Sequence, residues 1–570
     1  MSVSAPAVAT ASEKKKHPHP DRTRETIETI VFVVVLVLLL KLFVTEAFVI
    51  PTGSMAETLY GYQKIVTCEK CGHEFPVNSH DEVEGANDAN PGGPRRAVDM
   101  IGYTCPNCRY PGRYKADAKG THIDSPPNNT GDRVLVLKPI FHLKEPNRGD
   151  VVVFKYPQAP QERQIAQNYI KRAMAFGGET VAIHLGDIYV TRYLDYPADE
   201  IGPDGFLLYP RPEDPLDLWK PPYMYPNNQK ALDLFDKSRA AAFPMGQGGF
   251  EIVRKGLDQI LADRRIVWDN DQQPMELAGK FPPRWFPVPG AKNWNGDNEN
   301  MPKNFTHKGN DLEWIRYRHL IYPWEFPDTA KEVKPTYVDN MLGYNSEVGR
   351  YRDTGAPTPP RSTEAEKEWV GDLILEAEAV MDAGSEVTLE LSKGVNRFQA
   401  TFGNGTVKLA SIGPGAKEFG SRPCKVNGAG TYRLRFANVD CRLHVWVDDR
   451  LVDFGTDGDY LPGSTVPPNG TNAWTQENDV DAPASIGAKG TATVRAIKLH
   501  RDVFYTHGMN GAYVYYVQPG HYLCLGDNSA QSSDSRTWGT VPERLMLGKA
   551  VFVFWPFYFS ASKNRIGFIK

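Results

Sequence analysis

The feature that most constrains this 570-residue chain is residues 30–40, eleven apolar residues in a row with no polar position among them. A helix built on such a stretch has no wet face, so it must leave water altogether rather than lie along a core. If Lys41 is tolerated, the run extends over residues 27–49, long enough for roughly 30 Å of hydrocarbon. The apolar part of a cleaved leader is about 7–15 residues, so the expectation is an uncleaved transmembrane helix over 27–49. Lys14, Lys15, Lys16, Arg22 and Arg24 come before it, whereas Glu46 and Glu57 follow it before the next base, Lys64. The positive-inside rule then makes residues 1–26 a basic cytoplasmic tail. Everything from about residue 50 onward is expected on the outer, periplasmic face of a cytoplasmic membrane, close to the bilayer, with membrane lipid as a partner of the anchored chain.

The remaining length exceeds one core, since single cores stop growing near roughly 250–300 residues. A formal charge of −4 with 24% charged residues excludes a strongly basic nucleic-acid binder and a disordered chain. Aromatics at 11%, with 45 Pro and 50 Gly, favour short strands joined by turns, so a mainly β fold is expected.

Directly after the apolar run stands Phe48-Val49-Ile50-Pro51-Thr52-Gly53-Ser54-Met55, in which Pro51 and Gly53 impose a rigid, then permissive, backbone beside one serine. A serine hydroxyl is a weak nucleophile until a neutral base takes its proton, and lysine serves only if burial lowers its pKa. In Tyr169-Ile170-Lys171-Arg172-Ala173, period-two alternation puts Tyr169, Lys171 and Ala173 on one strand face. Gly131-Asp132-Arg133-Val134 and Arg148-Gly149-Asp150-Val151 read as turns feeding strands, each Asp fixing its turn. Near the C-terminus, Gly526-Asp527-Asn528 and Ser532-Ser533-Asp534-Ser535-Arg536-Thr537-Trp538-Gly539 form a polar loop between apolar strands.

These segments, in this order behind an apolar run, resemble the signal peptidase I family. Its nucleophile motif reads Pro-Ser-Gly-Ser-Met, its base strand Tyr-Ile-Lys-Arg, and its closing box Gly-Asp-Asn…Ser-x-Asp-Ser-Arg-x-Trp-Gly. The resemblance implies Ser54 as nucleophile, Lys171 as general base, and Thr52 Oγ1 with the Ser54 N–H as oxyanion hole. It also implies that Ser532 hydrogen-bonds the lysine, with Asp534 and Arg536 as a supporting ion pair. Phe48, Ile50 and Ile170 flank the pair and are expected to line a shallow apolar pocket suited to small side chains. Three departures stand out: Thr52 for Ser, Phe176-Gly177-Gly178-Glu179 for a Gly-Pro-Gly-Asp-like turn, and Ser529-Ala530-Gln531 where the family carries Arg-Asn or Arg-Asp-Asn.

The resemblance divides the chain into core segments 50–66, 116–197 and 503–570, separated by insertions at 67–115, 198–367 and 368–502. In the first insertion, Cys68-Glu69-Lys70-Cys71 and Cys105-Pro106-Asn107-Cys108 have the spacing of a zinc ribbon with four thiolate ligands, Cys68, Cys71, Cys105 and Cys108. Two disulfides or a redox pair are the competing readings in an oxidising compartment, and the absence of a thioredoxin-like βαβ pattern weighs against the redox pair. The second is Pro- and Trp-rich, with one amphipathic helix candidate at Phe250, Val253, Leu257, Ile260 and Leu261. The third alternates as Val387, Leu389, Leu391, then Leu434, Phe436, then Leu443, Val445, Val447, with Asp448-Asp449 as a hairpin turn; it reads as a β-sandwich or jelly roll. Cys424 and Cys441 are positioned in sequence to pair within it.

The expected function is a membrane-anchored Ser-Lys endopeptidase that removes signal peptides from secretory preproteins after Ala-x-Ala, with no cofactor for catalysis and a structural zinc. The alternative is an inactive envelope scaffold that binds protein or glycan through the insertions.

Overall fold

The computed structural model describes residues 22–86, 95–115, 124–157, 167–192, 225–226, 229–241, 249–322, 333–358, 364–461, 468, 473–508, 513–556 and 565–570. Residues 1–21 of the basic tail lie outside the described residues. The architecture is mainly β.

Helix α1 (Arg22–Phe43) stops well short of residue 49. β1 (Thr45–Val49) follows and pairs antiparallel with β2 (Arg133–Leu137), with Phe48 opposite Val134. The expected span over 27–49 is therefore not one helix: its last residues find backbone partners in a sheet. Arg24, Glu25 and Glu28 charge the first turns of α1 and Lys41 its end. Between them residues 29–40 are uncharged, about 18 Å of helix at 1.5 Å per residue. Among the described residues no helix is long and apolar enough to cross a membrane. The apolar side chains of residues 30–40 are all exposed, covered by nothing else among the described residues.

The core sheet adds β3 (Val151–Lys155), β4 (Asn168–Phe176), β5 (His521–Leu525), β6 (Val541–Pro542), β7 (Met546–Trp555) and β8 (Gly567–Phe568). Strand order is β1-β2-β7-β3-β4-β5-β6, with β8 on the free side of part of β7. Two strands from the C-terminal end, β7 and β5, flank β3 and β4, so the sheet closes only when residues on both sides of the large insertions meet. A second sheet joins Thr180–His184 and Asp187–Thr191 to Val514–Tyr516, Glu251–Ile252 and Tyr225–Pro226.

The cysteine-bearing insertion forms two hairpins, Gln63–Thr67 with Glu74–Asn78 and Val98–Thr104 with Pro111–Arg113. Its neck is tied where Gln63 and Asn129 exchange backbone hydrogen bonds at 3.2 and 2.7 Å. Val348–Tyr351, from the next insertion, extends its second hairpin.

The largest core belongs to a thirteen-stranded antiparallel sheet centred on the long strand Ala484–Arg501. Val387, Leu389, Leu391, Leu434, Phe436, Leu443, Val445 and Val447 are all buried in it. Asp448 and Asp449 both take positive φ, 50° and 61°, in the tight turn between Arg442–Val447 and Arg450–Val452. Phe305–Tyr317 pairs along Ala484–Arg501, so this sheet draws on both late insertions. The helix foreseen from Phe250 is confined to Leu257–Asp263; Phe250 is buried ahead of it. Cys424 and Cys441 are both free thiols.

Gly131 marks the point where the core chain returns from the cysteine-bearing insertion. A Cβ there would lie 1.8 Å from Ile50 O and 2.9 Å from Tyr60 O, backbone atoms that cannot swing aside. Gly131→Ala is expected to destabilise the protein by about 1–3 kcal/mol, as overpacking does, measurable as a lowered urea midpoint.

Candidate active site

Ser54 sits in the turn after β1, half-buried, while Lys171 projects from β4 and is only 2% exposed. Lys171 Nζ donates to Ser54 Oγ at 2.6 Å and to Ile170 O at 3.0 Å. Burial lowers the pKa of Lys171 to about 8 against the pull of the Asp534 and Asp527 carboxylates, and Arg536 adds to the lowering. A neutral amine at this distance can take the Oγ proton, and once protonated can return it to a leaving amine.

The serine turn is held from the closing loop. Asn528 N donates to Ser54 O at 3.2 Å and Asn528 Nδ2 to Gly53 O at 2.9 Å. Gly53 does not use the left-handed backbone that glycine permits. Glycine is needed there for room, because a Cβ would lie 2.0 Å from the ring of Tyr344. Thr52 is exposed at the rim. Phe48, Ile50 and Ile170 come together in one apolar cluster with Met55, Leu59, Val151 and Val153.

Two buried arginine–aspartate pairs stand behind the lysine. Arg536 grips Asp534 through Nε at 2.9 Å and Nη2 at 2.7 Å, and Asp534 also accepts from Gly526 N at 3.0 Å. Arg172 grips Asp527 through Nε at 2.8 Å and Nη2 at 2.6 Å, and Thr58 Oγ1 donates to the same carboxylate at 2.6 Å. Burial alone pushes both carboxyls up, but the guanidinium beside each outweighs it and holds both below the usual range.

The sequence reasoning gave no role to Arg172, Asp527 and Asn528, although each lies inside a segment that carries the resemblance. Ser532 does not hydrogen-bond Lys171. Its Oγ is buried without a partner among the described residues and packs on Gly526, where a Cβ would meet it at 2.1 Å. Lys171 instead directs its hydrogen bonds to Ser54 and Ile170. Ser529, in the departing stretch, is absorbed into the support: its Oγ and backbone O accept from Arg536 at 2.7 Å each. Glu179 of the altered turn accepts from Phe176 N at 2.9 Å and Arg148 Nη2 at 2.8 Å, while Gly178 takes φ +86°. Asp150 fixes its turn, accepting from Asn147 N at 3.0 Å, whereas Asp132 binds across the fold, accepting from Tyr60 N and Arg565 Nη2 at 2.9 Å each.

The four cysteines Cys68, Cys71, Cys105 and Cys108 are free, buried and convergent, with every Sγ within 4.8 Å of the others. Cys68–Cys108 and Cys71–Cys105 approach to 3.6 Å. A tetrahedral thiolate site with bonds of about 2.3 Å has edges of about 3.8 Å, so the set fits zinc, whereas a disulfide would close to about 2 Å. Each knuckle turns through a positive φ, at Gly72 (72°) and Arg109 (64°). His73 faces Gln272 Oε1 at 2.5 Å, outside the sulfur cluster.

The profile of the family described as "Signal peptidase, peptidase S26" matches residues 121–200 and 461–555, which include Lys171 and the closing loop but not Ser54. The similarity is to signal peptidases. Signal peptidase I of Aquifex aeolicus is 49% identical over 51 residues, 9% of this chain and 18% of the relative. Probable signal peptidase I-1 of Synechocystis is 38% identical over 61 residues, 10% of this chain and 31% of the relative. Signal peptidase IB of Staphylococcus aureus is 49% identical over 41 residues, 7% of this chain and 22% of the relative. Each match thus spans well under half of the relative's own length. Among solved structures, the carbohydrate binding module CBM66 from Bacillus subtilis overlaps 38% of this chain and 96% of its own at 13% identity, with a TM-score of 0.21. An overlap that weak carries no argument.

Removing one partner of a buried ion pair strands the other charge. Arg172→Met leaves Asp527 without its guanidinium and is expected to cost about 3–5 kcal/mol in urea denaturation. The same substitution on an exposed arginine such as Arg433 is expected to cost nothing measurable.

Proposed function

We propose that the protein is a Ser-Lys endopeptidase that removes signal peptides from secretory preproteins. The observation carrying this reading is the buried Lys171 Nζ 2.6 Å from Ser54 Oγ, with no carboxylate among the described residues hydrogen-bonded to it. In this mechanism Lys171 accepts the hydroxyl proton as Ser54 attacks the scissile carbonyl. The oxyanion that develops faces Thr52 Oγ1 and the Ser54 N–H, donors of a kind worth about 2.7–4 kcal/mol each. Lys171 then protonates the departing amine and activates the water that releases the acyl group. Phe48, Ile50 and Ile170 form the wall against which small side chains such as Ala dock, in keeping with Ala-x-Ala cleavage sites.

The exposed apolar flank of α1 is proposed as the membrane anchor. Burying its uncovered apolar side chains in lipid is favourable, and Arg24 and Lys41 at its ends can keep their charges at the interfaces. Preproteins emerging through a membrane would meet Ser54 close to the surface, since only β1 separates it from α1. Zinc on Cys68, Cys71, Cys105 and Cys108 is proposed as structural, pinning the two hairpins together.

Cleavage of an Ala-x-Ala precursor in detergent micelles tests the reading: Ser54→Ala and Lys171→Met are each expected to abolish it, and full activity in either overturns the mechanism. Lys171 must be neutral to act, so kcat/KM is expected to rise with pH through about 8. A profile flat from pH 6 to 10 would contradict that role for the lysine. Metal analysis is expected to find one zinc per chain, lost together with a lowered Tm in Cys105→Ser.

A further inference from the structure

The insertion that parts the base from the closing loop reaches back to the serine turn. Its short helical turn Gly343–Asn345 is buried against that turn. Tyr344 stacks on Tyr60 at 5.3 Å between centroids and donates through Oη to Tyr62 O at 3.0 Å. The neighbouring Asn345 forms a reciprocal amide pair with Asn528: each Nδ2 donates to the other's Oδ1 at 2.7 Å. The second hydrogen of Asn528 Nδ2 goes to Gly53 O at 2.9 Å, and that of Asn345 Nδ2 to Glu366 Oε1 at 2.6 Å. Both amides are buried.

A side-chain amide has two donors and one principal acceptor, and rotating it by a half-turn exchanges them. Asn528 can grip Gly53 O only with Nδ2 turned toward the serine loop. Asn345 fixes that orientation because its Oδ1 accepts from Nδ2 and its Nδ2 donates to Oδ1. Glu366 holds Asn345 in turn, its Oε1 accepting from Nδ2. The chain of contacts runs Glu366, Asn345, Asn528, Gly53 O, and ends one residue from Ser54.

We propose that Asn345 is a positioning residue for Ser54, so that the inserted region is part of the catalytic apparatus and not an appendage. This rests on Ser54 being the nucleophile. Asn345 touches no substrate; it acts through Asn528. Loss of the pair lets the Gly53–Ser54 peptide drift from Lys171, and a shift of the order of 1 Å in a reacting group costs about a hundredfold in rate.

The test is a double-mutant cycle on the full chain, reading precursor cleavage and the labelling of Ser54 by a fluorophosphonate. Asn345→Ala is expected to lower kcat by about 10- to 100-fold with KM within about twofold, and to slow labelling in parallel. If Asn345 acts through Asn528, adding it to Asn528→Ala lowers kcat no further. Losses that multiply mean that the two act separately, and they overturn the proposal, as does an Asn345→Ala enzyme with wild-type kcat. Asn345→Leu, which keeps the branched skeleton of Asn without its hydrogen-bonding groups, repeats the measurement should the Ala variant not fold, and comparable melting of variant and wild type separates positioning from unfolding. A wild-type protein that neither cleaves precursor nor reacts with the probe defeats the peptidase reading itself. An active wild type matched by Asn345→Ala defeats only the positioning role of Asn345.

Discussion

The structure turns on keeping one lysine buried beside a serine without a carboxylate to keep it charged. Burying an ammonium is costly, and a protein ordinarily answers by pairing it with an acid. Pairing would return Lys171 to a permanently protonated state, in which it could not take a proton from Ser54. The core does contain two buried aspartates close enough to influence it, Asp534 and Asp527. Each is already held in a two-point grip by its own arginine. Their negative charge is thereby spent locally, and desolvation remains the largest influence on Lys171.

This arrangement also explains why residues distant in sequence are bound together so firmly at the site. Arg172 follows Lys171 on β4, while Asp527 precedes the Asn528 that holds the serine turn. One ion pair therefore fixes the strand that carries Lys171 to the loop that holds the Ser54 turn. Thr58, just past Ser54, donates to the same carboxylate, so three separate segments converge on Asp527. On the other side Arg536 joins Asp534 to Thr506 and Ser529, tying the closing loop to the chain returning from the large insertion.

Much of the site was legible because its chemistry is local. A serine next to Gly and Pro, a lysine in an alternating strand, and two Cys-x-x-Cys pairs each carry their meaning within a few residues. What escaped was what depends on tertiary contact. Ser532 has the sequence position of a lysine partner, yet its hydroxyl faces Gly526, because which of several hydroxyls reaches an amine depends on loop path rather than on spacing. The apolar run predicted one long helix, but residues 45–49 had a competing use as an edge strand on β2, and no local pattern reveals that partner. Gly53 read as a point of permissive backbone and is instead a clearance for Tyr344, a residue far along the chain in a stretch with no recognisable motif.

The insertions can be large without breaking the core because of where they leave it. The chain departs after Asp187–Thr191 and returns at Val514–Tyr516, and both strands pair with Thr180–His184 as its two neighbours. The first insertion is closed in the same way by the Gln63–Asn129 bridge. Once the ends of a loop are pinned side by side, added length costs little, since closure entropy grows only with the logarithm of loop length. Such a loop is free to acquire structure of its own. In this chain that structure folds back, placing Tyr344 and Asn345 on the serine turn and Val348–Tyr351 on the cysteine-bearing hairpin. The same topology that makes the insertions tolerable to the sheet brings part of them within hydrogen-bonding distance of the residues around Ser54.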